Sequence, residues 1–265
     1  MTTLLQLSDP HFGTERPQAM AALQQLCALR RPDLLLVTGD ITQRARPEEF
    51  ARARAYFDRL GVPAQLLVPG NHDIPLFDLL TRLFRPYARF ARVFGPVLES
   101  EFERDDLLVL TLNTTRRYRH AQGEVSPAQI ERVAARLAAA RPGQLRLVAV
   151  HQPVAVTQPR DAGNLLRGHE QAVRRWAAAG ADAVLGGHIH LPYVLPLRPR
   201  WPDLPRPMWA VQAGTALSHR LRGGISNSVN VIRAGRAAVV ERWDLEDATG
   251  RFRCVATTPI GTPRR

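Results

Sequence analysis

The sequence predicts an α/β protein that forms one domain over residues 1–265. Short apolar runs alternate with helical patterns through the first two thirds of the chain, as in parallel strands joined by helices. Short β-like runs then follow one another with turn residues between them. A length of 265 residues suits one substantial core, and neither a long linker nor an internal repeat divides it.

Six apolar runs predict buried strands in the first two thirds of the chain. They cover residues 4–7, 34–37, 66–68, 107–112, 147–150 and 183–185. Because helical patterns separate most of these strands, the sheet is expected to be largely parallel, with right-handed crossovers.

Apolar residues at helical spacing predict helices over residues 17–30, 47–60, 75–93, 126–140 and 168–179. Proline in the first turn suits the first two of them, and Pro86 is expected to break or kink the third. Ser126, Pro127 and Gln129 form a capping box with proline at the first helical position.

The last third of the chain predicts short strands over residues 193–197, 208–213, 228–233 and 237–243. We expect these strands to form a second, mostly antiparallel sheet that faces the first. Residues 198–207, rich in Arg and Pro, predict a surface loop.

The formal net charge is +12, and all 36 basic residues are arginine. Such a bias is typical of GC-rich codon usage, which raises Arg everywhere and leaves a solvated surface as the simplest interpretation. The alternative is a surface that attracts polyanionic or phosphorylated ligands, nucleic acid included.

Other features of the composition predict a cytoplasmic protein. No apolar run reaches the roughly 20 residues that span a bilayer, and the N-terminal segment lacks the basic region of a signal peptide. Cys27 and Cys254 lack a neighbouring ligand residue, so we expect both thiols to be reduced and without a catalytic part.

Polar motifs stand directly after five of the predicted strands. They are Asp9-Pro10-His11, Gly39-Asp40, Gly70-Asn71-His72-Asp73, His151 and Gly187-His188-Ile189-His190. Since residues just past the strand ends gather in one crevice of an α/β sheet, these motifs are expected to converge. In each of the pairs Asp9/His11 and His188/His190, an extended backbone would aim both side chains to the same side.

These oxygen and imidazole groups predict a site for two metal ions, with Asp40 as the bridging carboxylate and Asn71 as an amide ligand. Two cations lower the pKa of a shared water and provide a hydroxide that attacks phosphorus in line. His72 would protonate the leaving group, and Asp73 would orient its imidazole. The ligand set suits Mn²⁺, Fe²⁺/Fe³⁺ or Zn²⁺ better than Mg²⁺ alone.

In order and type, these motifs resemble those of the calcineurin-like metallophosphoesterase superfamily. The resemblance implies a four-layer fold, in which two mixed β-sheets pack as a sandwich flanked by helices, and it gives His72 the same role. It also implies two ligand sets that share one carboxylate. One ion would be bound by Asp9, His11, Asp40 and His190, and the other by Asp40, Asn71, His151 and His188.

The segment 7–13 further resembles bacterial class III cyclic-nucleotide phosphodiesterases, although those usually have Leu or Ile where Pro10 stands. The resemblance therefore implies a phosphodiesterase for a small, cyclic nucleotide as substrate. Three alternatives remain open: a nuclease or other nucleic-acid-processing phosphodiesterase, a phosphoesterase for phospholipids or lipid precursors, and a noncatalytic scaffold. The oligomeric state is left open.

Substrate contacts are expected first from Asn71 and His72. Further candidates lie in loops after predicted strands, where an ordinary loop residue is the competing interpretation. They are Asn113, Arg116, His219 and Arg220. His120 and His169 have no motif around them and are interpreted as surface or capping residues.

Overall fold

The computed structural model describes residues 1–235 and 237–261. These residues contain twelve strands and six α-helices. The strands are β1 (Thr3–Leu7), β2 (Leu34–Thr38), β3 (Ala64–Val68), β4 (Glu101–Arg104), β5 (Leu107–Thr111), β6 (Leu145–Ala149), β7 (Ala183–Gly186), β8 (Tyr193–Pro196), β9 (Trp209–Gln212), β10 (Ser228–Arg233), β11 (Val239–Glu246) and β12 (Arg251–Pro259). The helices are α1 (Pro17–Arg30), α2 (Pro47–Arg59), α3 (Leu79–Phe84), α4 (Ala88–Phe94), α5 (Pro127–Ala138) and α6 (His169–Ala178).

The strands form two six-stranded sheets, and each sheet is mixed. The first has the order β12-β11-β10-β1-β2-β3, and the second has the order β4-β5-β6-β7-β9-β8. Strands β1 to β3 are parallel to one another, as are β5, β6, β7 and β9. Antiparallel strands extend both sheets.

Three apolar clusters show that the layers are stacked as helix, sheet, sheet and helix. One cluster joins the inner faces of the two sheets through residues such as Leu34 and Leu147. A second packs α1 and α2 on the first sheet around Phe57. The third packs α5 and α6 on the second sheet around Trp176. The predicted four-layer fold is therefore confirmed.

The prediction of a separate antiparallel sheet at the C-terminal end is wrong. β8 and β9 complete the second sheet, and β10 to β12 extend the first. The physical reason is burial: β10 is covered on both faces, so it fits beside β1, whose other edge is paired with β2.

Two strands were not predicted from the sequence. β4 has the charged sequence EFER, and most side chains of β12 are exposed. Because edge strands bury little apolar surface, they lack the hydrophobic run that marks a central strand.

The predicted helices are largely confirmed. The one expected over residues 75–93 is two helices, α3 and α4, and Pro86 lies in the break between them. Within the described residues, no helix is both long and apolar enough to cross a bilayer. Cys27 is buried, Cys254 is exposed, and both are free thiols.

The capping box at the start of α5 provides a test of local stability. The Ser126 hydroxyl accepts a hydrogen bond from the Gln129 amide, and the Gln129 side chain accepts one from the Ser126 amide. We expect Ser126→Ala to lower the free energy of unfolding by about 1 kcal/mol, measured by urea denaturation. Ser126→Thr, which keeps a hydroxyl, should lose much less, and an equal loss in both variants would contradict this role.

Candidate metal centre

The candidate site lies where the carboxyl ends of five parallel strands meet. Asp9 follows β1, Asp40 follows β2 and Asn71 follows β3, all in the first sheet. His151 follows β6 and His188 follows β7 in the second sheet. The site therefore sits at one end of the sandwich and takes side chains from both sheets, as expected for strand ends in α/β folds.

Six of the seven predicted ligands form two clusters. The first holds Asp9, His11, Asp40 and His190, and the second holds Asp40, His151 and His188. In each cluster the ligand atoms lie within 4.8 Å of one another. The seventh ligand, Asn71, places its Oδ1 3.1 Å from Nε2 of His151. Asp40 belongs to both clusters, which is the geometry that a bridging carboxylate requires.

The backbone at these ligands differs from the sequence-based prediction. Asp9, His11, His188 and His190 were expected on extended backbone, but their φ angles are 50°, 44°, 71° and 59°. Asp40 is also left-handed, with φ of 50°. This conformation costs of order 1–3 kcal/mol at a non-glycine residue and persists only where the surroundings impose it. The ligands that follow β1, β2 and β7 therefore converge because the backbone turns sharply after these strands.

Backbone carbonyls fix the orientation of the histidine rings. Nδ1 of His151 donates to the Thr38 carbonyl at 2.8 Å, and Nδ1 of His190 donates to the Arg220 carbonyl at 2.6 Å. Since Nδ1 carries the proton in each ring, Nε2 is the atom that can offer a lone pair to a cation. Thr215 also places its hydroxyl 2.7 Å from Nδ1 of His190. Thr38 lies outside the recognised motifs, and no sequence signal marked it.

The electrostatics of the cluster keep most of these side chains in the deprotonated form that can bind a metal ion. Burial lowers the pKa of His11 to about 3 and that of His188 to about 4, so both rings are neutral near pH 7. Burial alone would raise the pKa of Asp9, but the neighbouring His190 and His151 hold it below its ordinary value. Both effects leave lone pairs available to a cation.

Asp40 and His151 show how strongly the site attracts positive charge. Burial opposes ionisation of Asp40, yet the neighbouring histidines hold the pKa of its carboxyl well below the usual value. Burial likewise opposes a charged His151, but Asp40 raises the pKa of that imidazole to about 9. A cation that binds here would displace this proton, as metal binding at histidine generally does.

Two further observations show that the residues fit a metal centre. Within the described part of the chain, Asp9 Oδ1 and His188 Nδ1 are buried without a hydrogen-bond partner of normal geometry. Nε2 of His11 also lies 3.2 Å from Nε2 of His190. Buried polar atoms without partners are costly, and cations coordinated between these atoms would satisfy them.

His72 faces the site, but its orienting group differs from the one predicted. Nδ1 of His72 donates to the Gln43 carbonyl at 2.8 Å, which leaves Nε2 toward the cluster. The Asp73 carboxylate instead accepts hydrogen bonds from the amides of Ile41, Thr42 and Gly70 at 2.8–3.0 Å. Asp73 therefore ties the loop after β2 to the loop after β3, and burial raises its pKa to about 6.

Arg220 is the one further substrate-contact candidate that the structure places at the cluster. Its Nη1 lies 3.1 Å from Nε2 of His72 and 3.3 Å from Nε2 of His11. Asn113 and Arg116 are instead engaged in structural bonds: Asn113 Oδ1 accepts from Thr115, and Arg116 donates to Gln129. The exposed His219 forms backbone hydrogen bonds with Thr14 and Leu221.

A pocket of about 410 Å³ opens beside Asn71 and His72. Its lining includes four arginines and the apolar residues 74–77. The lining also includes Gln43 and His120, which the sequence interpretation did not assign to the site. His120 is exposed, and because no motif surrounds it in the sequence, its place at the pocket depends on the fold of its loop.

Comparisons with known proteins agree with this geometry. The chain is 30% identical over 165 residues to a probable cyclic nucleotide phosphodiesterase from Rhodococcus erythropolis, an alignment that covers 60% of this chain and 52% of that protein. It is 38% identical over 81 residues to the glycerophosphodiester phosphodiesterase GpdQ from Enterobacter lignolyticus, covering 26% of this chain and 29% of that one. The matched region thus spans about half, or less, of these curated relatives.

The fold matches that of solved structures over nearly the whole chain. A dimetal phosphatase from Danio rerio superposes with a TM-score of 0.65 at 14% identity, covering 98% of both chains. At this identity the likeness concerns the fold alone. The family model described as "Calcineurin-like phosphoesterase" matches residues 2–192, which include every predicted metal ligand. This chain therefore belongs to the calcineurin-like phosphoesterase family.

Proposed function

We propose that the chain hydrolyses small phosphodiesters, cyclic nucleotides in particular, with two metal ions held at the candidate metal centre. The observation that carries this proposal is the position of Asp40 in both ligand clusters. The two curated relatives reported above bear the names of phosphodiesterases, one for cyclic nucleotides and one for glycerophosphodiesters. Their names support a small diester as substrate.

The two ligand clusters would hold one ion each. The first ion would be held by Asp9, His11, Asp40 and His190, and the second by Asp40, Asn71, His151 and His188. When bound, the ions supply Lewis acidity, which activates a water as the nucleophile and neutralises charge on the phosphoryl oxygens. The mixture of imidazole, carboxylate and amide ligands suits manganese, iron or zinc.

Arg220 would bind the phosphoryl group from the open side of the cluster. Its Nη1 lies within 3.4 Å of His11, His72 and Gln43. A guanidinium in this position can donate to a phosphoryl oxygen as negative charge develops on it. Arg220 would therefore position the substrate phosphate between the metal ligands and His72.

His72 would protonate the leaving oxygen. Because Gln43 fixes the Nδ1 proton, the second proton of the imidazolium sits on Nε2, the atom that faces the site. General acid catalysis requires this donor to reach the leaving oxygen within about 2.6–3.2 Å. Arg220 Nη1 lies 3.1 Å from this Nε2, so Arg220 would shift toward the phosphoryl oxygens when the leaving oxygen takes its place beside His72.

The pocket beside His72 would accommodate the rest of the substrate. Its volume of about 410 Å³ lies within the range of small-molecule sites, roughly 300–1,000 Å³. Ile74, Pro75 and Leu76 form an apolar wall against which a base or sugar can pack.

A substrate panel tests the proposal. Manganese-loaded protein should hydrolyse bis(p-nitrophenyl) phosphate faster than p-nitrophenyl phosphate, and it should act on at least one of cyclic AMP, cyclic GMP and the 2′,3′-cyclic nucleotides. Equal rates on the first pair would refute the preference for diesters. Failure on every compound of the panel would refute phosphoester hydrolysis as the activity of this chain.

Replacement of His72 separates the proposed proton donor from a structural residue. We expect His72→Ala to lower kcat on cyclic nucleotides by about 10²–10⁴. The loss should be much smaller on bis(p-nitrophenyl) phosphate, because its phenolate leaves without protonation. Elemental analysis should show nearly unchanged metal content. Equal losses on the two substrates would mean that His72 acts in some way other than as the acid.

A further inference from the structure

One segment beside the pocket exposes an unusual number of large apolar side chains. Phe77 is 81% exposed, Leu80 is 73% exposed and Phe84 is 71% exposed. The complete set, named here the α3 patch, is Leu76, Phe77, Leu79, Leu80, Leu83 and Phe84. No residue of α3 is buried. Single exposed apolar residues are common, but a contiguous group marks an interaction surface.

Positive charge surrounds the α3 patch. Between residues 74 and 94 the sequence has four arginines, at positions 82, 85, 89 and 92, and a single acid, Asp78. Asp78 pairs with Arg89 at 2.7 Å. Arg85 and Arg92 are exposed, and they line a groove of about 700 Å³ together with Leu80 and Phe84. The surface therefore combines exposed apolar side chains with exposed arginines.

The α3 patch is continuous with the candidate metal centre. Leu76 and Phe77 line the pocket that also contains Asn71 and His72. Arg89 lines both this pocket and the larger groove. Whatever binds the patch therefore lies at the mouth of the site.

The charge distribution indicates which kind of partner binds the patch. In a symmetric pair of chains the same patch would meet itself, so Arg85 and Arg92 would face their own copies, and residues 74–94 offer a single acid, Asp78, to offset them. Nucleic acid would suit the arginines and could stack on Phe77 and Phe84, but the other four side chains of the patch are leucines, which offer little stacking to its bases. An anionic bilayer satisfies both parts, since its headgroups attract Arg and its acyl region accepts Leu and Phe.

We propose that the α3 patch docks the protein on an anionic lipid surface, with Leu and Phe side chains at the acyl boundary and the arginines among the headgroups. In this orientation the pocket beside His72 opens at the level of the headgroups. Binding to the bilayer does not depend on the proposed function; only the delivery of a membrane-borne phosphodiester to the site would rest on it.

Vesicle sedimentation tests the docking. The full chain is mixed with vesicles of phosphatidylcholine alone or of phosphatidylcholine with phosphatidylglycerol. We expect it to sediment with the anionic vesicles and to be released by high salt, since exposed charges are screened. Leu79→Ser/Phe84→Ser should weaken this binding by roughly tenfold or more. Arg85→Gln/Arg92→Gln should weaken it by a similar factor.

A matched control removes exposed apolar side chains elsewhere. Leu29 on α1 and Val255 on β12 are also exposed, and Leu29→Ser/Val255→Ser should bind anionic vesicles like the unaltered chain. Turnover of bis(p-nitrophenyl) phosphate is measured in parallel. Unchanged turnover with lost vesicle binding supports the docking, whereas absent turnover with intact binding refutes only the proposed function.

Three outcomes would overturn the proposal. In the first, the unaltered chain does not bind anionic vesicles. In the second, the control variant loses vesicle binding as much as Leu79→Ser/Phe84→Ser does. In the third, light scattering shows a dimer that Leu79→Ser/Phe84→Ser dissociates, which would assign the patch to a second copy of this chain.

Discussion

Replacing Asp40 with Asn is expected to lower turnover by at least about a thousandfold and to leave fewer than two metal ions per chain. Loss of a single preorganised electrostatic group costs about 10²–10³ in kcat, and Asp40 is the one residue shared by both ligand clusters. The substitution keeps the shape of the side chain. An Asn Oδ1 can still accept the hydrogen bond that the His72 amide donates at 2.8 Å, so the loss reflects charge.

The matched control for this substitution is Asp58→Asn. Asp58 is half exposed on α2 and pairs with Arg54 at 3.0 Å, an exposed pair that contributes little to stability. This variant should retain its metal ions and its turnover. Steady-state kinetics and elemental analysis of both variants test this prediction. Two bound ions in Asp40→Asn, with turnover within about tenfold of the unaltered chain, would contradict the bridging position.

The ligand residues could be predicted because each follows a strand that the sequence makes visible. Leu34 to Thr38 is buried throughout, and a buried strand appears in the sequence as an apolar run. Since parallel strands end at one edge, the residue types after five such runs identify a common site.

The groups that orient the ligands could not be predicted in the same way. His151 is held by the Thr38 carbonyl, and His72 is held by the Gln43 carbonyl. Every residue has a backbone carbonyl, so the sequence carries no mark of the one that meets a given ring. Because His72 and Asp73 are adjacent in the sequence, a contact between their side chains was expected. The Asp73 carboxylate instead accepts hydrogen bonds from three backbone amides in the loops after β2 and β3.

The pairing of the C-terminal strands escaped prediction for a related reason. The alternation in Ser228–Arg233 is typical of a strand, but it does not say which sheet the strand joins. That choice depends on the free edge of β1, which β10 fills by antiparallel pairing from Thr3 with Arg233 to Gln6 with Asn230. An edge is a property of the assembled sheet, so local sequence does not reveal it.

The loops after β2 and β3 approach each other closely at Gly70. A Cβ atom at Gly70 would lie 2.1 Å from both the backbone nitrogen and Oδ1 of Asp40. The backbone at Gly70 has φ of −97° and ψ of 179°, which any residue can adopt. Glycine is required here by the space that Asp40 occupies.

We therefore expect Gly70→Ala to disturb the site more than the addition of one methyl group usually does. The added methyl group must displace the backbone of Asp40, because no rotation of a side chain removes the clash with its nitrogen. Overpacking of this kind costs about 1–3 kcal/mol of unfolding free energy, measured by urea denaturation. A shift of about 1 Å in a catalytic group lowers turnover by about a hundredfold, and the affinity for the second metal ion should fall with it.

Gly163→Ala is the matched control for this prediction, because a Cβ atom there meets no described atom within 4 Å. It should change neither unfolding free energy nor turnover appreciably. Comparison of the two variants separates the general cost of a methyl group from the specific cost of moving Asp40. If Gly70→Ala kept the turnover and metal content of Gly163→Ala, the loops after β2 and β3 would have to be further apart than they are here. The left-handed turn at Asp40 would then not be held by its contact with Gly70, and Asp40 would owe its position to other contacts, such as the hydrogen bonds from the amides of His11 and His72.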